Sequence, residues 1–107
     1  MKTVKVAETK PFQNAHGVDA RKLFADHGAE VIHMALKPGE ALKKHTTPVD
    51  VFFYILEGKG IVEIADEIRE VEKDEIVDSP KAIPHLLSNT GENTLRFLVV
   101  KLPKTSS

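Results

Sequence analysis

The feature that most constrains this chain is how often its apolar stretches are interrupted. Short runs rich in β-branched, aromatic and leucine residues are separated, about every 8–12 residues, by Gly, Pro, Asn and Asp turn formers, a spacing that favours all-β architectures. Glu30–Lys37 is closed by Pro38-Gly39. Val51–Leu56 is apolar at both strand phases, as expected of a strand covered on both faces, and is followed by Gly58-Lys59-Gly60. Ile61–Ile64 comes next, with Asp66-Glu67 predicted as the turn before Ile68–Glu72. A short strand at Glu75–Val77 is stopped by Ser79-Pro80, another spans His85–Ser88, and Asn89–Asn93 makes a hairpin loop into Thr94–Leu102, which Pro103 ends. Asp19–Phe24 fits a helical turn or a strand, and strand is preferred. Periodicity leaves sandwich and barrel both open.

At 107 residues the chain is expected to form one domain spanning 1–107, with N-terminal strands in 1–29, the main barrel in about 30–103, and a frayed polar tail from 104. It has no cysteine, which removes disulfides, thiolate metal sites and cysteine nucleophiles and fits a reducing compartment. Fifteen basic and sixteen acidic residues are interspersed and leave a charge of −1, so nucleic acid is not an expected partner. The longest apolar run, Val51–Leu56, is six residues, far below the roughly 20 that cross a bilayer. No apolar signal core follows Met1-Lys2-Thr3-Val4-Lys5. The expectation is a cytoplasmic protein with no membrane partner.

Two segments carry chemistry. The first runs from Pro38-Gly39 through His45, Thr46 and Thr47 to Val51 and Glu57-Gly58; the second runs from Pro80 through His85 to Asn89. Their order and spacing resemble the two halves of the cupin signature, with Gly39, His45, Gly58, Pro80, His85 and Asn89 on the pattern. The resemblance covers about residues 30–103 and implies a double-stranded β-helix, the jelly-roll barrel. In that family two histidines and a glutamate from the first half, with one histidine from the second, bind a divalent metal. Here Thr47 stands in the slot of the second histidine and Val51 in that of the glutamate. Asp74 and Ala82 stand where the second half has glycines, which bears on turn shape rather than chemistry.

Side chains two apart on a strand share a face, so His45, Thr47, Val51 and Phe53 are expected to line the barrel interior, as are His85 and Leu87. Metal centres draw three or four protein ligands, and two imidazoles hold an ion weakly. Asp50, if a bulge near Pro48 turned it inward, or His33 on the preceding strand, would extend a His45/His85 metal set. His16 and His27 sit in polar, turn-like stretches and are expected at the surface. Asn89 is expected to fix a turn.

These residues support a barrel that binds a small organic ligand, with His45 and His85 as polar anchors. The alternatives are a metal-dependent enzyme of dioxygenase or isomerase type, carrying Mn, Fe, Ni or Zn, and a non-catalytic regulatory or scaffold protein. The second apolar face of Val51–Leu56, made by Phe52, Tyr54 and Leu56, predicts a two-fold homodimer.

Overall fold

The structure is a computed structural model that describes residues 1–104. Apart from a 3₁₀ turn at Val6–Glu8, its regular elements are strands: β1 (Asp19–Asp26), β2 (Ala29–Leu36), β3 (Val51–Glu57), β4 (Lys59–Ile64), β5 (Glu67–Glu72), β6 (Ile76–Ser79), β7 (His85–Ser88) and β8 (Leu95–Lys101). Five form one antiparallel sheet in the order β1-β2-β8-β3-β6, and three form a second in the order β5-β4-β7. Bridges at Ala41–Ser88 and His45–His85 lay the stretch before β3 along β7, widening the smaller sheet. No helix among the described residues is long and apolar enough to cross a membrane.

Strand alternation builds the core. Ile32, Met34 and Leu36 of β2, Val51, Phe53 and Ile55 of β3, and Leu95, Phe97 and Val99 of β8 are all buried and face the smaller sheet. Registers stack them in rows: Ile32–Val99–Phe53–Val77 crosses four strands, with Met34–Phe97–Ile55 beside it. From the smaller sheet Val62, Val71 and Leu87 close against these rows. Each buried aliphatic or phenyl group of this size contributes about 1.5–3 kcal/mol by leaving water. Phe52, Tyr54 and Leu56, on the opposite face of β3, are half-buried.

Loop geometry decides how closely the sheets approach. Gly60 lies where a Cβ would sit 2.6 Å from the Ser88 carbonyl oxygen and 2.6 Å from a Leu95 methyl. Only glycine lets β4 pass so near its neighbours. Asp74 and Ala82 adopt the left-handed conformation, φ +67° and +63°, keeping the turn shape without glycine. Asn89 fixes its loop as expected: its amide donates to the carbonyls of Leu36 (2.9 Å) and Asn93 (2.8 Å), and its oxygen accepts from the Gly91 N–H (2.9 Å).

Two details differ from expectation. The β4–β5 turn falls at Ala65-Asp66, one residue early, because Ala65 takes φ +52°. Before residue 30 there is one strand pairing with β2, namely β1; residues 9–18 form an irregular strap that turns at Ala15-His16 and borders the barrel interior through Phe12, Asn14, Ala15 and His16.

Candidate functional site

β7 starts immediately after Pro84, and its alternation turns His85 and Leu87 inward, His85 being 1% exposed. The bridge to residue 45 brings the two imidazoles together, with Nε2 atoms 3.2 Å apart and rings nearly perpendicular. The His45 Nδ1–H donates to the Lys43 carbonyl at 2.7 Å. A neutral imidazole carries one proton, so this bond leaves a lone pair on His45 Nε2. His85 then donates its Nε2–H to His45, and the Ser79 hydroxyl, fully buried on β6, donates to His85 Nδ1 at 2.7 Å.

A third histidine joins this pair. The Lys43 backbone N–H donates to His16 Nδ1 at 2.8 Å, and the His16 ring centroid lies 4.8 Å from that of His45. The proton of neutral His16 therefore sits on Nε2. The backbone of Lys43 thus sets both tautomers, donating to one ring and accepting from the other. Phe53 packs edge-on against His85 with ring centroids 5.3 Å apart. Burial pushes His85 down to a pKa of about 4, helped by His45, His16 and Lys101. Burial also lowers His16, followed by the charges of His45 and Lys43.

The three rings line a cavity of about 150 Å³, the size of an apolar hole that admits benzene. Ile32, Met34, Leu42, Phe53 and Val99 form its apolar wall. Phe12, Asn14, Ala15 and His16 of the strap also border it. The strap is tied down by Phe12 N–H to the Ala20 carbonyl (2.9 Å) and by Asn14, whose amide donates to the Val18 carbonyl (2.8 Å) and whose oxygen accepts from the His16 N–H (3.0 Å). Two wider grooves, beside Gly58 and Glu92 and between β5 and β6, are open to solvent and carry no histidine.

Known proteins agree with this architecture. The family profile described as the cupin domain matches residues 32–101. The chain belongs to the cupin family. An uncharacterised protein of Methanocaldococcus jannaschii is 35% identical over 65 residues, 61% of this chain, and this chain spans about half the length of that curated relative (51%). Among solved structures, a predicted oxalate decarboxylase from Thermotoga maritima superposes with a TM-score of 0.87 at 23% identity, covering 96% of this chain and all (100%) of the other. An RmlC-like cupin with a double-stranded β-helix fold from M. jannaschii superposes with a TM-score of 0.76 at 25% identity, over 96% and 94% of the two chains.

Within this cupin the predicted site residues separate. Thr47 and Phe53 border the cavity, with the Thr47 hydroxyl donating to the Val49 carbonyl at 2.9 Å. Val51 and Leu87 are buried in the core without lining it. Asp50 is not brought inward by any bulge. It is exposed and accepts the Lys81 N–H at 2.9 Å, while its carbonyl accepts from Leu102. His33 faces away, because Ile32 and Met34 on either side of it point in; its Nε2 accepts from Arg96 at 3.1 Å. Its Nδ1 is buried and unpartnered among the described residues. His27 is exposed, as expected, but His16 is not the surface residue the sequence suggests. Sequence reasoning also passed over Ser79 and Lys101. Lys101 could have been found, since it continues the inward phase of Leu95, Phe97 and Val99.

The donor set does not fit the family's metal centre. Thr47 and Val51 bring no ligand of the family's kind, and no three His, Cys, Asp or Glu side chains among the described residues are placed to hold one metal ion together. The free nitrogen of His16 carries its proton. Lys101, on the cavity wall, disfavours a second cation.

Proposed function

We propose that this cupin is a binding module that holds a small organic ligand in the cavity beneath the strap, against the paired rings of His45 and His85, whose ring nitrogens are spent on each other, Lys43 and Ser79 rather than left free as anchors. The observation that carries this reading is the cavity of about 150 Å³ with an apolar wall and a converged histidine cluster, the make-up of a small-molecule site. A metal-dependent enzyme using Mn, Fe, Ni or Zn needs ligands beyond two histidines, and Asp50 and His33 are engaged elsewhere. A cytoplasmic setting and a two-fold homodimer through the half-buried Phe52, Tyr54 and Leu56 belong to the same proposal. Light scattering that gives a monomer mass at micromolar concentration would remove the dimer.

The test is two-dimensional NMR of the ¹⁵N,¹³C-labelled protein with benzyl alcohol, benzamide and benzoate at millimolar concentration. Shifts are expected at Met34, Phe53 and His85 with at least one probe, and Met34→Trp, which fills the cavity, should abolish them. Shifts confined to other surfaces, or none with any probe, would overturn the reading.

A further inference from the structure

The polar groups on this cavity are one-sided in their charge, and that points to a ligand class. We infer that the ligand is a small organic anion, a monocarboxylate with an apolar body, whose carboxylate is held by Lys101 and the His16 Nε2–H. This rests on the binding reading above and goes beyond it.

Among the described residues no carboxylate side chain borders the cavity; its polar lining is Asn14, His16, His45, Thr47, His85 and Lys101. Lys101 lies on β8 opposite Val51 on one side and Glu30 on the other. Glu30 is the acid nearest in register, but its carboxylate is engaged by Lys22 at 2.9 Å. Among the described residues Lys101 forms no ion pair. The Lys101 charge also helps lower the Glu30 carboxyl, after Lys22, but no carboxylate contacts the ammonium directly, so a bound anion would find it free to donate.

The histidines act in the same sense. His45 is committed as acceptor to His85 and as donor to Lys43, and the Asn14 amide is spent on the Phe12 and Val18 carbonyls. That leaves the His16 Nε2–H as an unspent donor on the cavity side, because Lys43 holds the other nitrogen as acceptor. A carboxylate accepts from both an N–H and an ammonium, and such charge-assisted bonds are about twice as strong as neutral ones. Opposite these groups Ile32, Met34, Phe53 and Val99 offer an apolar wall. A cavity of about 150 Å³ leaves room for a body of roughly benzene size. An amide of the same shape would fit the wall but, being neutral, would gain less from Lys101 than a carboxylate.

The experiment titrates benzoate and benzamide into the full-length protein by calorimetry near neutral pH and low salt, with NMR locating each. Benzoate should bind about tenfold or more tighter than benzamide, as one charged hydrogen bond in a partly desolvated site is worth. Its affinity should fall with added salt. Lys101→Met should weaken benzoate about tenfold and leave benzamide within twofold; Lys101→Arg should retain most of the benzoate affinity. Equal binding of the two probes at the cavity, or tighter benzamide, would overturn the anion assignment while leaving the binding reading intact. Binding of neither would overturn both.

Discussion

Lowering the pH should destabilise this protein through His85 before the carboxylates become important. The ring is 1% exposed, its Nδ1 accepts from Ser79 and its Nε2 faces His45 at 3.2 Å. A second proton on His85 would have to be accommodated against a hydroxyl that donates and beside cationic Lys101. Burial first, then His45, His16 and Lys101, bring its pKa from 6.5 to about 4. The folded value is depressed, so the unfolded chain binds the proton more tightly, and stability falls as pH drops between these values. The contribution is fully present above pH 6.5 and used up below about 4. At about 1.4 kcal/mol per pH unit the full shift would cost about 3.5 kcal/mol, and water in the cavity brings the loss to about 2–3 kcal/mol. That is a large share of the roughly 5–15 kcal/mol typical of a domain. Urea unfolding from about pH 7.5 to 4.5 measures it. The wild type should lose stability steeply through this range. His85→Gln, less stable at neutral pH, should show a much flatter profile, while His16 and His33, also depressed, continue to titrate in both proteins. Parallel profiles, or an imidazole ¹⁵N titration placing His85 above pH 6, would refute the burial argument.

Other substitutions test the elements that frame the site. Asn89→Ala strands the Leu36 and Asn93 carbonyls and the Gly91 N–H, and should cost about 2–3 kcal/mol by urea unfolding; a cost near zero would mean that water replaces the amide. Gly60→Ala drives a methyl to 2.6 Å from the Ser88 oxygen and should destabilise by more than about 2 kcal/mol, since backbone must move. Ala82→Gly relieves the φ of +63° and should raise stability by about 0.5–1 kcal/mol, measured the same way. A loss there would mean that the alanine methyl packs usefully.

Much of the barrel was legible because its strands are short and sharply bounded. β7 matches the His85–Ser88 expectation residue for residue, since Pro84 opens it and Asn89 closes it. β3 extends the Val51–Leu56 run only to Glu57. The two histidines met because each motif fixes one register on neighbouring strands. The strap was not legible: residues 9–18 have no strand period, and what places His16 is a backbone N–H 27 residues away in sequence. Asp50 and His33 failed to join for a reason that phase alone supplied in part. Alternation points both away from the cavity, and their partners Lys81 and Arg96 lie too far along the chain for spacing to reveal. The β4–β5 turn slipped by one residue because alanine is not a turn former, and only the hairpin register puts Ala65 at positive φ.

This barrel keeps His45 and His85 but not the family's other two metal ligands, so it should hold no divalent ion tightly. Thermal unfolding with and without Mn²⁺, Fe²⁺, Ni²⁺ and Zn²⁺, run beside the Thr47→His/Val51→Glu double variant, tests this most directly. A ligand that binds only the folded state raises stability by about 2.7 kcal/mol at a hundredfold excess over its Kd, equivalent to a Tm rise of about 10 °C in a domain of this size. No resolvable change is expected in the wild type, and a rise of that order in the double variant, where the two family ligands are restored. A rise of that size in the wild type, lost in His45→Ala and His85→Ala, would instead make the histidine pair a metal site.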